Sequence, residues 1–146
     1  MSKVIVYTND EGQVVTCHPA PGFDPEEVLL KDCPTDKNPH IEDLSSLPSD
    51  TTFRDAWVES GSQVIEDLTK SKEISHGWRR EKRQEEFKPH DDIIMKQIPG
   101  ADATAAEEAR AEIRTRYETI QSNIDASTST DELRTILSAE PFNYNL

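Results

Sequence analysis

Four side chains able to bind a soft metal, Cys17, His18, Cys33 and His40, fall within the first forty residues. A structural zinc site needs tight pairs such as C-x-x-C, so that two ligands leave one turn toward one ion. Cys17 and His18 are instead adjacent, and neighbours in an extended chain point to opposite sides. The spacing reads as chance placement, and no metal or other cofactor is expected. The two cysteines lie sixteen positions apart, which allows a disulfide on paper. In a chain without an export signal they read instead as small, buried or half-buried thiols.

Two other clusters carry charge close together. His90-Asp91-Asp92 follows a proline and has the donors for a divalent cation. At a helix start, two aspartates need no ion, because they complement the helix dipole. Trp78-Arg79-Arg80-Glu81-Lys82-Arg83 is the basic cluster of the chain, and a Trp beside arginines suits stacked bases. Glu73, Glu81, Glu85 and Glu86 lie in and around it at helical spacing, which offsets the charge. A solvated or partner-facing helix is the simpler reading. Nucleophile elbows, phosphate loops and H-E-x-x-H patterns are absent from the sequence. No enzymatic activity and no small-molecule substrate are expected.

The elements that must carry these residues have little apolar material. Of 146 residues, 34% are hydrophobic and 31% charged, so the core must be small. The formal charge of -13 argues against nucleic acid or an anionic membrane as partner, since both need a positive footprint. No apolar run approaches the length of a membrane span, and MSKVIVYTNDEG lacks the pattern of a signal peptide. Residues 1–50 carry net -7, residues 51–100 net -1 and residues 101–146 net -5. Six of the nine prolines fall in the first fifty residues, making that third turn-rich.

Val4-Ile5-Val6-Tyr7 and Val14-Val15-Thr16, joined by Asn9-Asp10-Glu11-Gly12, predict a β-hairpin. A lone hairpin is marginal in water and needs a further strand, a helix or another chain. Asp24-Pro25-Glu26-Glu27 predicts a short helix that Pro34 ends. Residues 35–50 read as loop, with Ile41, Leu44 and Leu47 as anchors. Residues 52–58 read as an extended segment ended by Ser60-Gly61-Ser62. A long helix is expected from Thr69 to Ile98, with Ile74, Trp78, Phe87, Ile94 and Ile98 on its apolar side. Pro89 either kinks it or begins a second helix, and Pro99-Gly100 ends it. Thr104 to Glu107 reads as a capping box. Ala109, Ile113, Tyr117, Ile120 and Ile124 then form the narrow stripe of a helical hairpin. Ser129 to Glu132 starts a last short helix, followed by a tail from Glu140 to Leu146. The expected fold is α+β: a small N-terminal β-hairpin or sheet with a short helix over residues 1–66. A helical hairpin and a short terminal helix follow over residues 67–146.

Val4-Ile5-Val6-Tyr7-Thr8 with Gly12, His18-Pro19-Ala20-Pro21-Gly22, Leu47-Pro48-Ser49-Asp50 and Thr52 to Trp57 together form a recognisable series. Lys70, Lys72, Glu73, Ile74 and His76 continue it, then Arg79, Arg80 and Arg83, and finally Thr130-Asp131-Glu132-Leu133. The series resembles a group of small tailed-bacteriophage proteins found among tail and tail-fibre genes. The resemblance covers most of the chain, and its motifs are specific as a set rather than singly. It implies a virion accessory component or a tail-fibre assembly chaperone, located in the virion tail and, during assembly, in the host cytoplasm. Partners would be phage tail or fibre proteins, with self-association as a further way to complete the apolar stripes. No catalytic residues come with the pattern. The Phe142-Asn143-Tyr144-Asn145-Leu146 ending departs from the group, which leaves the role of the C-terminus open. An acidic protein that imitates nucleic acid to block host defence is a third reading of the charge, but it needs carboxylates on one continuous face. Aromatic residues dominate interface energetics, which singles out Phe53, Trp57, Trp78, Phe142 and Tyr144 as candidate contact residues. Phe53, Trp57 and Trp78 read first as core, whereas Phe142 and Tyr144 read first as contacts on a mobile tail.

Overall fold

The computed structural model describes residues 2–96 and 103–146. It has the expected α+β architecture, with a small antiparallel sheet followed by helices. The expected helix end at Ile98 to Gly100 lies outside the described residues. The chain divides into two compact units between Lys70 and Ser71, four residues beyond the expected boundary.

In the N-terminal unit, β1 (Lys3–Thr8) is the central strand of a three-stranded antiparallel sheet ordered β2-β1-β3. Val4, Ile5 and Val6 are all fully buried, as a strand covered on both faces requires. β2 (Val14–Cys17) pairs along one edge with Thr8 opposite Val14. The turn between them is tied by the Asn9 side chain, which accepts from the Glu11 and Gln13 amides at 3.0 and 2.9 Å. Gly12 holds the positive φ (78°) that the reversal needs.

The region read as loop contains a strand. β3 (His40–Asp43) pairs along the other edge of β1, with Ile41 opposite Ile5. Its sequence, His-Ile-Glu-Asp, has one apolar residue, so its strand character comes from pairing with β1 rather than from hydrophobic alternation. Of residues 52–58, read as extended, 52–56 form a turn and a short 3₁₀ helix (Arg54–Ala56), and only Trp57 and Val58 lie in a strand, which is half of a hairpin. β4 (Trp57–Ser60) turns at Gly61 (φ 62°) and pairs with β5 (Gln63–Glu66), Ser60 opposite Gln63. Val4, Val6 and Val14 pack with Trp57 and Val64 of this hairpin, and Leu47 closes the cluster. Ile5 points to the opposite face of the sheet, where α1 (Pro25–Asp32) packs on β1 and β3. Asp24 caps α1 by accepting from the Glu26 amide at 3.2 Å.

In the C-terminal unit, α2 (Leu68–Lys96, its first turn in the N-terminal unit) runs antiparallel to α3 (Ala103–Ala126). His76 meets Asp125 at 2.8 Å, Arg79 meets Gln121 at 2.7 Å and Asp91 meets Arg110 at 2.9 Å. α2 is continuous through Pro89, so His90-Asp91-Asp92 lies inside a helix and not at a helix start. Thr104 is likewise inside α3, which already runs at Ala103, and is not its cap. Of the expected stripe on α3, Ile113, Tyr117 and Ile124 are buried and Ala109 and Ile120 half-buried, and Ala106 extends it. The facing stripe on α2 differs. Its buried residues are Ser71, Ser75 and Arg79, while Ile74, Trp78, Phe87 and Ile94 are only half-buried. Small side chains let helix backbones approach, and the Ser75 hydroxyl donates back to the Ser71 carbonyl at 2.8 Å.

α4 (Thr130–Ser138) begins as its sequence predicts. Ser129 accepts from the Glu132 amide at 3.2 Å, and the Glu132 carboxylate accepts from the Thr128 amide at 2.6 Å. Leu133 and Leu137 form its buried face.

Candidate functional site

The five aromatic candidates divide by burial. Phe53 is fully buried and Trp57 is 5% exposed, so both are interior residues of the N-terminal unit. Trp57 closes the cluster under the sheet, and the Arg54 guanidinium lies 4.3 Å over its ring. Arg54 is held there by donating to the Val14 carbonyl at 2.8 Å. A contact role for these two is corrected by that packing.

The C-terminal tail is not free either. The Tyr144 amide donates to the Leu137 carbonyl and the Asn143 amide to the Ala139 carbonyl, both at 2.9 Å. That folds the tail back on α4 and buries Phe142 to 4% exposure, so its reading as a mobile contact residue is corrected. Tyr144 is half-buried and packs edge-on against Trp78 at 5.7 Å, and against Phe142 at the same distance. Trp78 and Tyr144 each keep a solvent-facing part. Sequence spacing hides this pairing because the two residues are 66 positions apart.

The four metal-ligand candidates separate across the sheet. His40 lies opposite Val6 and shares its face, whereas Cys17 lies opposite Ile5 and shares the other. No group of three His, Cys, Asp or Glu side chains suited to a metal occurs among the described residues. His40 instead joins a polar chain. Its ring meets Glu42 at 2.9 Å and Glu59 of β4 at 3.4 Å. The Thr8 hydroxyl donates to Glu59 and the Ser46 hydroxyl to Glu42. Nucleophilic catalysis would need a hydroxyl on the imidazole. Here both hydroxyls go to carboxylates, and the arrangement ties the β4 hairpin to the sheet.

A second polar cluster joins α2 to α3. Glu86 accepts from the Tyr117 hydroxyl and from Arg116 at 2.7 Å. Burial would lift the Glu86 carboxyl, but Tyr117, Arg116 and Lys82 outweigh it and hold the group below its ordinary value. Burial pushes the Tyr117 phenol well up, and Glu86 adds to the rise. The stabilisation tied to Glu86 is therefore complete above pH 4.5 and fades as pH falls through its lowered pKa. That tied to Tyr117 is complete below pH 10.0 and fades as pH rises past it. Urea midpoints of the helical unit should form a plateau between those limits. Tyr117→Phe should make the alkaline decline shallower, and an unchanged decline would contradict the assignment.

The basic cluster does not present one surface. Arg79 is buried against Gln121, burial and the neighbouring Arg83 and Arg80 lower its pKa, Lys82 pairs with Glu85 at 3.5 Å, and Arg83 lies over Phe87. Trp78, which would stack a base, is turned to Tyr144.

The apolar surface that stands out was not among the expected contacts. α1 has no buried residue, Leu30 is 71% exposed, and Phe23 just before its cap is 65% exposed. Leu29, Leu30, Glu26 and Ile41 line a shallow depression beside it. Asp24, Glu26, Glu27 and Asp32 are exposed in the same segment, with Lys31 the one exposed base of α1. A signal was present in the sequence. Val28, Leu29 and Leu30 are consecutive, and successive helical residues are rotated by about 100°, so a helix lying on a sheet cannot bury all three. Compared with known protein families, curated proteins and solved structures, the chain matches none.

Proposed function

We propose that the chain is a non-enzymatic accessory protein of a tailed phage, associated with the tail or tail fibre and acting through protein–protein contacts. The observation that supports this reading is the exposure of Phe23 and Leu30, one just before and one within a helix that has no fully buried residue. Large apolar side chains rimmed by polar ones mark docking surfaces. The net acidic charge of this segment suits a partner whose apolar pocket is edged by lysine or arginine, and a tail or fibre protein is the partner that the sequence resemblance supplies. Trp78 and Tyr144, both half-buried, form a smaller aromatic surface on the helical unit. Acidic mimicry of nucleic acid has less support, because Glu42, Glu86 and Asp91 are engaged in ion pairs within the protein.

The test is incorporation of the Phe23→Asp and Leu30→Asp variants in infected cells. Both sites are exposed, so melting should change by no more than about 0.5 kcal/mol. Co-purification with tail or fibre protein should fall by about tenfold or more, as for truncated interface anchors. Undiminished co-purification of both folded variants would overturn the assignment of this surface.

A further inference from the structure

Cys17 and Cys33 come from different elements on one side of the sheet. Cys17 ends β2, opposite Ile5, and its side chain therefore lies on the face of the sheet that α1 covers. Cys33 is the residue at the C-terminal cap of α1 and is buried, while Cys17 is half-exposed. Cys17 is near enough to Cys33 to act on its thiol electrostatically. Both are free, and the segment between them holds the His18–Gly22 turn, Phe23 and all of α1.

We propose that Cys17 and Cys33 are a dithiol redox site, closed to a disulfide by a low-molecular-weight disulfide such as oxidised glutathione. Cys17, the accessible member, loses its proton and attacks one sulfur of glutathione disulfide. A Cys17–glutathione bond forms, the oxidant's own S–S bond breaks, and one glutathione leaves as thiolate. Cys33 then loses its proton and attacks the Cys17 sulfur. The Cys17–Cys33 bond forms and the second glutathione leaves. Two protein thiols are oxidised, one glutathione disulfide is reduced to two glutathiones, and the two released protons are taken up by the leaving thiolates.

The order of attack follows from the surroundings. Burial, then the neighbouring Cys17 and Asp32, push the Cys33 thiol above its ordinary value, so it is slow against a reagent in solution. Held near Cys17, it attacks within the molecule, where proximity replaces concentration. The bond pins the C-terminal end of α1 to β2. The helix has no buried residue and rests lightly on the sheet, so the staple acts where packing is weakest. Closing a loop of this length in the unfolded chain shifts the folding equilibrium by about a hundredfold.

The full-length protein, equilibrated at pH 8 in glutathione buffers from fully reduced to fully oxidised, tests this by alkylation, intact mass and peptide mapping. The expected product is a monomer lighter by two hydrogens, with Cys17 and Cys33 in one linked peptide. Its unfolding constant should be about a hundredfold below that of the reduced form. Cys33→Ser should stall with glutathione on Cys17. Free thiols throughout the oxidised buffers, a lasting glutathione adduct on the unmutated protein, or disulfide-linked dimers would overturn the proposal. Peptide mapping of the unmutated protein decides the matter even if Cys33→Ser fails to fold.

Discussion

Trp57→Ala is expected to destabilise the N-terminal unit by about 3–5 kcal/mol, the usual cost of removing a buried large aromatic side chain. Trp57 is the one aromatic member of the cluster formed with Val4, Val6, Val14 and Val64. Those valines belong to three strands, two of them in the sheet and one in the β4–β5 hairpin, and none is long enough to fill the space the indole leaves. The Arg54 guanidinium would lose the ring beneath it while still bonded to the Val14 carbonyl. A unit of some seventy residues has a stability comparable with this loss. Amide exchange at Val4, Ile5 and Val6 should therefore rise to the rate of an unfolded chain. Trp57→Phe keeps a ring under Arg54 and should lose less than half as much. Protected β1 amides in Trp57→Ala would contradict this view of the core.

Tyr117→Ala carries the largest expected effect in the helical unit, about 3–5 kcal/mol in urea unfolding. Tyr117 is fully buried in the middle of the α3 stripe, between Ile113 and Ile124. Its hydroxyl also donates to Glu86, which otherwise has Arg116. Alanine removes both the volume and the bond. Tyr117→Phe keeps the ring and removes only the bond, at about 1–2 kcal/mol. The lower end of that range applies, since the Glu86 side chain is partly exposed and water can replace the donor. Equal costs for the two variants would mean that the hydroxyl, not the packing, holds α3 to α2.

The parts of the fold that were legible in the sequence are those whose signal is local. The first hairpin shows in its β-branched runs and in Asn9 to Gly12. The Ser129–Glu132 cap and the stripe from Ile113 to Ile124 show in their spacing. What was not legible depends on distant partners. His40–Asp43 becomes a strand only because β1 offers an edge. Gly61 marked a break rather than a turn because β5 is short, with Ile65 on its exposed side. Ser71 and Ser75 occupy the buried side of α2 through close approach, which hydrophobic periodicity cannot register. Phe142 is buried by a fold-back that ends in Tyr144 meeting Trp78, and aromatic character alone does not say whether a residue faces a partner or its own chain. The run Val28-Leu29-Leu30 signals that one residue must stay exposed, but only the packing of α1 on the sheet shows that it is Leu30.

On the proposed reading, quantitative mass spectrometry of purified phage particles tests the central claim most directly. A constant small-integer ratio to a tail or fibre protein, lost in Leu30→Asp, is the predicted result. Absence from particles, with no tail or fibre protein bound to the chain in infected-cell lysate, would contradict it. Absence from particles with such binding in lysate would contradict the virion placement and leave the chain as an assembly chaperone.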